Sequence, residues 1–427
     1  MRRPARRTTN ALYGAGLAAA LVLPAAVAPA QAAPLTRTPA GPGPLAYLPA
    51  ADGEKGQELP GMPTSLDARA EAVACTPASK EKAGKQDWSR QRLDLDRLHR
   101  HTTGQGVTVA LISTGVDPGA EGLGGRVTAQ GEAADDCVGQ GTFLAGLIAG
   151  DGGGTPTLAG VAPSAKILAL RGTDRRGQPD AGLVTAAVRA ATAARADVIA
   201  VTVALPARDT ALTRAVAEAR RAGAVVVAAA TPEPPSRGSA EEVPARAYWP
   251  ASEPGVLSVA DMLPAGTRPD KALPTGTVDL AAPGAGVVSG GPRGSGHYLG
   301  AGVAVATAYA AGAAAVVRAA HPDDSPAEAA RRLAATAYPA DIPQVDAYAA
   351  VTTVLGVPGA PGGQAERAAE PVALRDTSDT DRATGRAVLF VLLGSAGVLA
   401  VLWAGFAVKR ARSRGWRPAG PAAADRS

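Results

Sequence analysis

The central part of the chain alternates between continuous apolar runs and amphipathic stretches with helical spacing. The apolar runs predict strands at 107–112, 166–170, 198–204 and 224–230, with shorter ones at 256–260 and 278–282. Helical spacing predicts helices at 181–196, 210–223 and 303–320, and Ser325-Pro326 with Glu328 predicts the capped start of another. Continuous apolar strands separated by helices are typical of a parallel sheet covered on both faces, so the predicted fold class is α/β.

The N-terminus has the pattern of a secretory signal peptide. Four arginines within the first seven residues precede an apolar stretch from 11 to 27, and Ala30-Gln31-Ala32 follows as a small-x-small cleavage site. We therefore expect residues 1–32 to be removed after Ala32 or Ala33. An uncleaved anchor is the less favoured alternative, because Pro24 and Pro29 interrupt the run.

A second apolar run predicts one transmembrane helix at residues 387–408. Its 22 residues carry no charge, and at about 1.5 Å per residue they span the roughly 30 Å hydrocarbon core. The tail at 409–427 is strongly basic, which favours a cytoplasmic tail by the positive-inside rule. We expect a single-pass protein of the cell membrane, in contact with its lipid, with an extracytoplasmic body.

Net charge gives no support for a nucleic-acid-binding protein. The whole chain carries +5, but the predicted signal peptide holds four of the positive charges and the tail a net five. The remaining body, residues 33–408, therefore carries a net charge of −4. No basic stripe interleaved with aromatic residues occurs in it, so we expect no nucleic-acid partner.

Cys75 and Cys137 are the only cysteines, and both lie in the predicted extracytoplasmic part. A disulfide between them is favoured over two free thiols in an exported protein. With two cysteines and four scattered histidines, neither a metal site nor a cofactor is predicted. The remaining divisions are an extension at 33–90, a domain at 91–353 and a Pro- and Gly-rich stalk at 354–386.

Three segments in the domain resemble the catalytic blocks of the subtilisin-like serine proteases, or subtilases. They are the strand end 109–117, the Gly-Gln-Gly-Thr segment at 139–142 and the helix start at 302–306. Gly160-Val161-Ala162-Pro163 and Ala282-Pro283-Gly284 fit the same pattern. The resemblance implies a subtilisin-like three-layer fold with a mostly parallel sheet. The signal peptide, the cysteine before the second block, the stalk and the anchor are most similar to the mycosins, membrane-anchored proteases associated with type VII secretion.

The resemblance also implies that the catalytic groups are replaced. Ser113 stands at the aspartate position, Gln140 at the histidine position and Ala304 at the nucleophile position. Pro232 stands at the oxyanion-donor position, unless the alignment shifts by one and Thr231 supplies a hydroxyl. Since an alanine has no nucleophilic atom and an amide is no base near neutral pH, we predict a pseudoprotease.

Three functions follow as hypotheses. The first is a structural component associated with subunits of a type VII secretion membrane complex or with a homologous protease. The second is a module or protease regulator that binds an extended peptide without cleaving it. The third is an endopeptidase with a relocated site, for which His297 in the loop before Ala304 and Asp117 beyond Ser113 are the candidates; a solvated loop histidine and a structural turn residue are the favoured interpretations.

Overall fold

The computed structural model describes residues 58–67, 72–155, 158–233, 245–276, 278–355 and 378–415. The chain divides into two units, 1–58 and 59–427, and of the first only Glu58 is among the described residues. The predicted signal peptide, most of the stalk and the tail beyond 415 lie outside the described residues.

A seven-stranded sheet forms the centre of the domain. Its strands are β1 Thr108–Ser113, β2 Val127–Ala129, β3 Lys166–Arg171, β4 Val198–Val201, β5 Val225–Ala229, β6 Leu257–Met262 and β7 Leu280–Pro283. Their order is β2-β3-β1-β4-β5-β6-β7, and every pairing between them is parallel. The predicted fold class, a three-layer α/β arrangement around a mostly parallel sheet, is confirmed.

Helices cover both faces of this sheet. They are α1 Trp88–Arg92, α2 Leu95–Leu98, α3 Gln140–Ala149, α4 Ala181–Ala193, α5 Thr210–Arg221, α6 Val303–Ala320, α7 Pro326–Ala335 and α8 Ala347–Thr352. Side chains alternate along each strand, so Val109 and Leu111 pack in the cluster that contains α3 and α6, while Ala110 and Ile112 pack with α4 and α5.

Helix α6 runs through the core, and Val303 to Val317 are all buried. Its small side chains let neighbouring elements approach closely. A Cβ placed on Gly312 would lie 2.7 Å from the Cβ of Val161. The next helix, α7, begins with the predicted capping box between Ser325 and Glu328.

Several elements were not predicted. Among them are the short strand β2 and the helices α3 and α8. An antiparallel pair, β8 Val287–Gly290 with β9 His297–Gly300, was not predicted either. Strand β4 is also shorter than the predicted 198–204, because the chain leaves the sheet after Thr202 donates its N–H to the carbonyl of Ile112. Leu205 then exchanges backbone hydrogen bonds with Trp249.

The N-terminal extension lies on the domain as an extended chain in its described part. Gly61 forms a parallel bridge with Leu299 of β9. The predicted boundary at 90/91 falls inside α1, which spans Trp88–Arg92. Arg90 is 1 % exposed and therefore belongs to the packed domain. The extension and the domain are therefore one packed body over these residues.

A 36-residue helix, α9 Ser378–Ser413, contains the predicted transmembrane segment. It extends beyond 387–408 on both sides, so the end of the predicted stalk is helical. Within Phe390–Ser413, an 18-residue window has a mean hydropathy of 2.2, and none of that window is buried against protein. Its length and composition suit a membrane span. Helix α6 is nearly as apolar, but it is the buried core helix of the domain.

Candidate functional site

The three predicted catalytic positions lie at the ends of three elements. Ser113 is the last residue of β1, Gln140 is the first of α3 and Ala304 is in the first turn of α6. Parallel α/β sheets place their binding sites at the carboxyl ends of the strands. Ser113 is 1 % exposed, and a Cβ on Gly141 would lie 2.3 Å from its Oγ. Glycine at 141 therefore lets α3 start directly against the end of β1.

A buried carboxylate fixes the start of α3. Asp136 accepts hydrogen bonds from the Thr114 hydroxyl at 2.8 Å, the Gly139 N–H at 2.8 Å, and both the N–H and hydroxyl of Thr142 at 2.8 and 2.7 Å. Burial raises the pKa of Asp136 above its ordinary value, and these donors oppose the rise. Asp136 thus holds Gly139 and Thr142, which lie on either side of Gln140 in the sequence, and both of its carboxylate oxygens are engaged by donors.

A cleft of about 180 Å³ opens between these elements. Its walls combine residues of the sheet edge, the α3 and α6 starts and the N-terminal extension: Thr64, Ser65, Gln140, Gly177, Gln178, Pro179, Thr202, Val203, Ala204, Pro232, Glu233 and Ala304. The structure thus brings three of the four predicted site residues, Gln140, Pro232 and Ala304, onto one cleft. Ser113 lies behind the α3 start and does not line it.

The prominent residue in this cleft is Glu233, which the sequence analysis missed. Its Oε1 accepts a 3.0 Å hydrogen bond from the backbone N–H of Ala304. The carboxyl group also lies against Gly302, where a Cβ would be 2.1 Å from Oε2. Any other residue at 302 would displace the carboxylate. Glu233 thus caps the N-terminus of α6, where a negative charge is stabilised by the helix dipole.

The electrostatic environment of Glu233 is unusual. The pKa of Glu233 is raised to about 7, mainly because the carboxyl group is withdrawn from water and to a smaller extent by the negative charge of Asp261. The backbone hydrogen bond from Ala304 opposes this rise. Burial also raises the pKa of Asp261, although Arg268 partly compensates at 3.8 Å. The cleft floor therefore holds a carboxyl group that titrates near neutral pH.

The sequence contains one indication of the role of Glu233. This acidic residue comes four positions after the end of β5, at the edge of the sheet where the binding sites of parallel α/β folds lie. What the sequence does not give is the direction of its side chain. Thr231, the alternative oxyanion donor, is 2 % exposed and does not line the cleft, whereas Pro232 does.

The two candidates for a relocated site lie elsewhere. His297 belongs to β9, and its Nδ1 accepts a 2.9 Å hydrogen bond from the N–H of Ala83 in the extension. Burial lowers its pKa, with Lys82 as a smaller cause in the same direction. It lines a small pocket beside Glu121, outside the cleft. Asp117 accepts from the N–H groups of Gly119 and Arg293, as expected of a turn residue.

A disulfide fastens the extension next to the cleft. Cys75 and Cys137 are bonded, as predicted, with Cα atoms 4.6 Å apart. Thr76 reinforces this junction by donating its N–H to the carbonyl of Cys137 at 2.9 Å and its hydroxyl to that of Val138 at 2.5 Å. Nearby, Leu66 donates to Arg176, which holds Thr64 and Ser65 against the cleft wall. In the described part of the chain, no group of three or more His, Cys, Asp or Glu is placed to hold a metal ion.

The fold and these motifs define a subtilase. A sequence profile of the Subtilase family (Peptidase_S8) matches residues 104–372, more than half of the chain, and the protein belongs to that family. It is similar to Mycosin-1 of Mycobacterium tuberculosis, with 31 % identity over 304 residues that cover 58 % of this chain and 68 % of that protein. Mycosin-3 of the same organism is 29 % identical over 381 residues, or 72 % and 81 % of the two chains.

Solved structures agree with this assignment. The structure of MycP1, a serine protease and an essential component of the type VII (ESX-1) secretion system, superposes with a TM-score of 0.55 at 28 % identity. It covers 70 % of this chain and 96 % of that one. MycP3 protease from the type VII (ESX-3) secretion system gives a TM-score of 0.56 at 26 % identity, covering 71 % and 100 %. The similarity to mycosins predicted from the sequence is confirmed.

Proposed function

We propose that this protein is a mycosin-like pseudoprotease, a structural component of a type VII secretion complex held on the outer face of the cytoplasmic membrane. The observation that carries the proposal is the hydrogen bond from Ala304 to Glu233 at the nucleophile position. Position 304 has no nucleophilic atom, and the neighbouring backbone donor is already engaged by a carboxylate. Both features oppose the chemistry of a serine protease.

The magnitudes support loss of catalysis. In subtilisin, removing the serine or histidine alone lowers kcat by about 10⁶, and removing one oxyanion donor costs a further 10² to 10³ or so. Here Gln140 and Ala304 stand at the histidine and serine positions, and Pro232 has neither a side-chain donor nor a backbone N–H. These losses leave too little rate enhancement for a useful protease.

A role at the membrane is supported by the apolar part of the helix, 390–408, and by the basic residues that follow it from Lys409 onward. We propose that the signal peptide 1–32 exports the body, the segment 387–408 anchors it, and the tail 409–427 remains in the cytoplasm. Association with secretion-complex subunits is supported by the similarity to MycP1 and MycP3.

Two measurements test this proposal. Full-length protein in detergent should not cleave a peptide library above the rate of a heat-denatured sample, and a serine-directed fluorophosphonate should not label it. Affinity purification from the native membrane, with a version truncated after residue 377 as control, should recover secretion-complex subunits only with the anchored form. Quantitative cleavage of the peptides would contradict the assignment as a pseudoprotease. Recovery of no secretion-complex subunit would contradict the structural role in that complex.

Peptide binding without cleavage is a second candidate function. The open cleft supports it, since Val203 and Ala204 continue beyond the end of β4 along the cleft wall. An extended peptide that pairs with such a segment is held by backbone hydrogen bonds. This function is compatible with the first one and adds a ligand to it.

A further inference from the structure

The C-terminal end of α9 carries a dense group of cations. The helix continues past the last apolar residue, Val408, and ends at Ser413. From Lys409 to Arg417 five residues are basic and none is acidic. The helix therefore leaves its apolar segment directly into a region of purely positive charge.

Three of these cations share one face of the helix. Side chains in an α-helix are separated by about 100° per residue, so Arg410 and Arg414 lie close together, with Lys409 beside them. An open depression of about 430 Å³ is lined by Phe406, Lys409, Arg410, Ser413 and Arg414. Arg412 is not part of it, because its side chain leaves the helix about 160° away from both Arg410 and Arg414.

Aromatic side chains continue the same face toward the apolar segment. Trp403 and Phe406 come seven and four residues before Arg410, and they are 74 % and 63 % exposed. Side chains on a helix tilt toward its N-terminus, which at this end is the direction of the apolar segment. The cations therefore lean back toward the level at which a phospholipid carries its phosphate, while the two rings lie at the level of its acyl chains.

The charge of this face is not balanced within the part of the chain that the structure describes. None of the ion pairs found there contains Lys409, Arg410 or Arg414. The hydroxyl of Ser413 donates a 2.8 Å hydrogen bond to the carbonyl of Arg410, so its proton is used by the helix end itself. The cations are thus available to an external anion.

Membrane topology by itself does not explain this arrangement. The positive-inside rule depends on the number of cations beside a span, and it is indifferent to the face of the helix on which they lie. Stabilisation of the helix C-terminus by its dipole likewise needs cations in the last turn but no aromatic partner. The combination of three cations and two aromatic rings on one face indicates a ligand that has both phosphate and acyl chains.

We propose that this face of α9 binds the head group of an anionic phospholipid that carries two phosphates, in the cytoplasmic leaflet. Arg410 and Arg414 hold phosphate oxygens by paired N–H groups, which the planar guanidinium presents in a fork. Lys409 adds a third charge, and Trp403 and Phe406 contact the acyl chains. Three cations against two phosphates favour a doubly charged head group over a singly charged one.

The test uses the full-length protein in a neutral detergent and cardiolipin as the lipid with two phosphates. Native mass spectrometry resolves protein with bound lipid, and the apparent Kd for cardiolipin is compared with that for phosphatidylglycerol, supplied at twice the concentration to equal the charge, and for phosphatidylcholine. Cardiolipin should bind at least about fivefold more tightly than phosphatidylglycerol, since one additional cation–phosphate contact near a membrane surface corresponds to about that factor.

Arg410→Gln/Arg414→Gln should weaken cardiolipin binding about 25-fold by the same measure. Arg412→Gln is the matched control, because it removes one charge from the same turn but from another side, and it should change the Kd by less than about twofold. Arg410→Lys/Arg414→Lys separates charge from geometry and should recover only part of the loss. Equal Kd values for cardiolipin and phosphatidylglycerol, or equal losses in Arg410→Gln and Arg412→Gln, overturn the inference.

This inference rests on the proposed membrane anchor, and the two fail separately. Release of the wild-type protein from native membranes by alkaline carbonate would overturn the anchor. Protein that resists carbonate but shows no preference for cardiolipin would leave the anchor standing and overturn the lipid site. If Arg410→Gln/Arg414→Gln loses secretion-complex subunits in affinity purification while cardiolipin binding stays unchanged, the basic face contacts protein, and the lipid site is likewise overturned.

Discussion

The backbone N–H of Ala304 donates a 3.0 Å hydrogen bond to Oε1 of Glu233. Here the donor is occupied by a side chain of the same molecule, and the carboxylate lies at the positive end of a helix that spans 18 residues. The backbone donor at the position assigned to the nucleophile is therefore occupied by a carboxylate of the same chain.

The first prediction concerns restoration of catalysis. A Ser113→Asp/Gln140→His/Ala304→Ser variant should remain inactive, because Glu233 still occupies the donor at 304 and Pro232 supplies none. Adding Pro232→Asn and Glu233→Ala returns two donors and should raise the cleavage rate of a chromogenic peptide by at least about 10² over the triple variant.

The control for this series is the four-substitution variant that keeps Ala304 and carries the other four changes. It should show no cleavage, which confirms that any activity comes from the introduced serine. If the triple variant alone cleaves as fast as the quintuple one, the carboxylate does not obstruct the site.

The second prediction concerns the disulfide. Cys75 and Cys137 are 62 residues apart in sequence, and the chain-entropy estimate for a loop of this length is about 4 kcal/mol. Cys75→Ser/Cys137→Ser should lower the free energy of unfolding by roughly that amount in urea titrations of the full-length protein. Reduced wild type is the control and should lose as much as the variant. A loss below about 1 kcal/mol would falsify a stabilising role.

The third prediction concerns Arg90, the buried link between the extension and the domain. Its guanidinium pairs with Asp87 at 2.5 Å and donates to the carbonyls of Leu158, Ala159 and Val288 at 2.7–2.9 Å. Arg90→Met leaves a buried carboxylate unpaired, which costs about 3–5 kcal/mol. Urea unfolding measures this loss.

The matched control is Arg100→Met, which removes an exposed arginine from the same region. Its effect should stay within about 0.5 kcal/mol. Similar losses for the two variants would show that the Arg90 network contributes nothing beyond side-chain size.

The fourth prediction concerns pH. Because the folded state raises the pKa of Glu233 from 4.5 to about 7, the folded state holds this proton more tightly than the unfolded state does. Binding of this proton therefore adds to the free energy of unfolding below pH 4.5, and the added stability is lost as the pH rises to about 7. The shift corresponds to at most about 3 kcal/mol.

Glu233→Gln removes this titration, so the difference in the free energy of unfolding between wild type and variant should change in favour of the variant between pH 4.5 and 7. Urea titrations at half-unit steps measure it, with Glu218→Gln as the control that should parallel the wild type. A pH-independent difference for Glu233→Gln contradicts the environment described for the carboxylate.

The sequence alone determined the order of the main elements and the family. Apolar runs and helical spacing are local patterns, and they predicted β1, β3, β5 and the helices α4, α5 and α6 to within a few residues. The disulfide followed from cysteine count and compartment. The pair β8–β9 escaped because its strands are four residues each, too short for a periodic pattern to appear.

The side-chain arrangement in the cleft depends on tertiary structure. The sequence gives the identities of Gln140, Pro232 and Ala304, but the direction of Glu233 depends on the positive φ of 112° at Gly302 and the free donors at the start of α6. His297 was a candidate for the cleft because it precedes Ala304 closely in sequence. In the structure it lies outside the cleft, where its ring accepts a hydrogen bond from the N–H of Ala83. Local patterns specify elements through backbone and burial preferences, but the contacts of a single polar side chain depend on segments that are brought together only by folding.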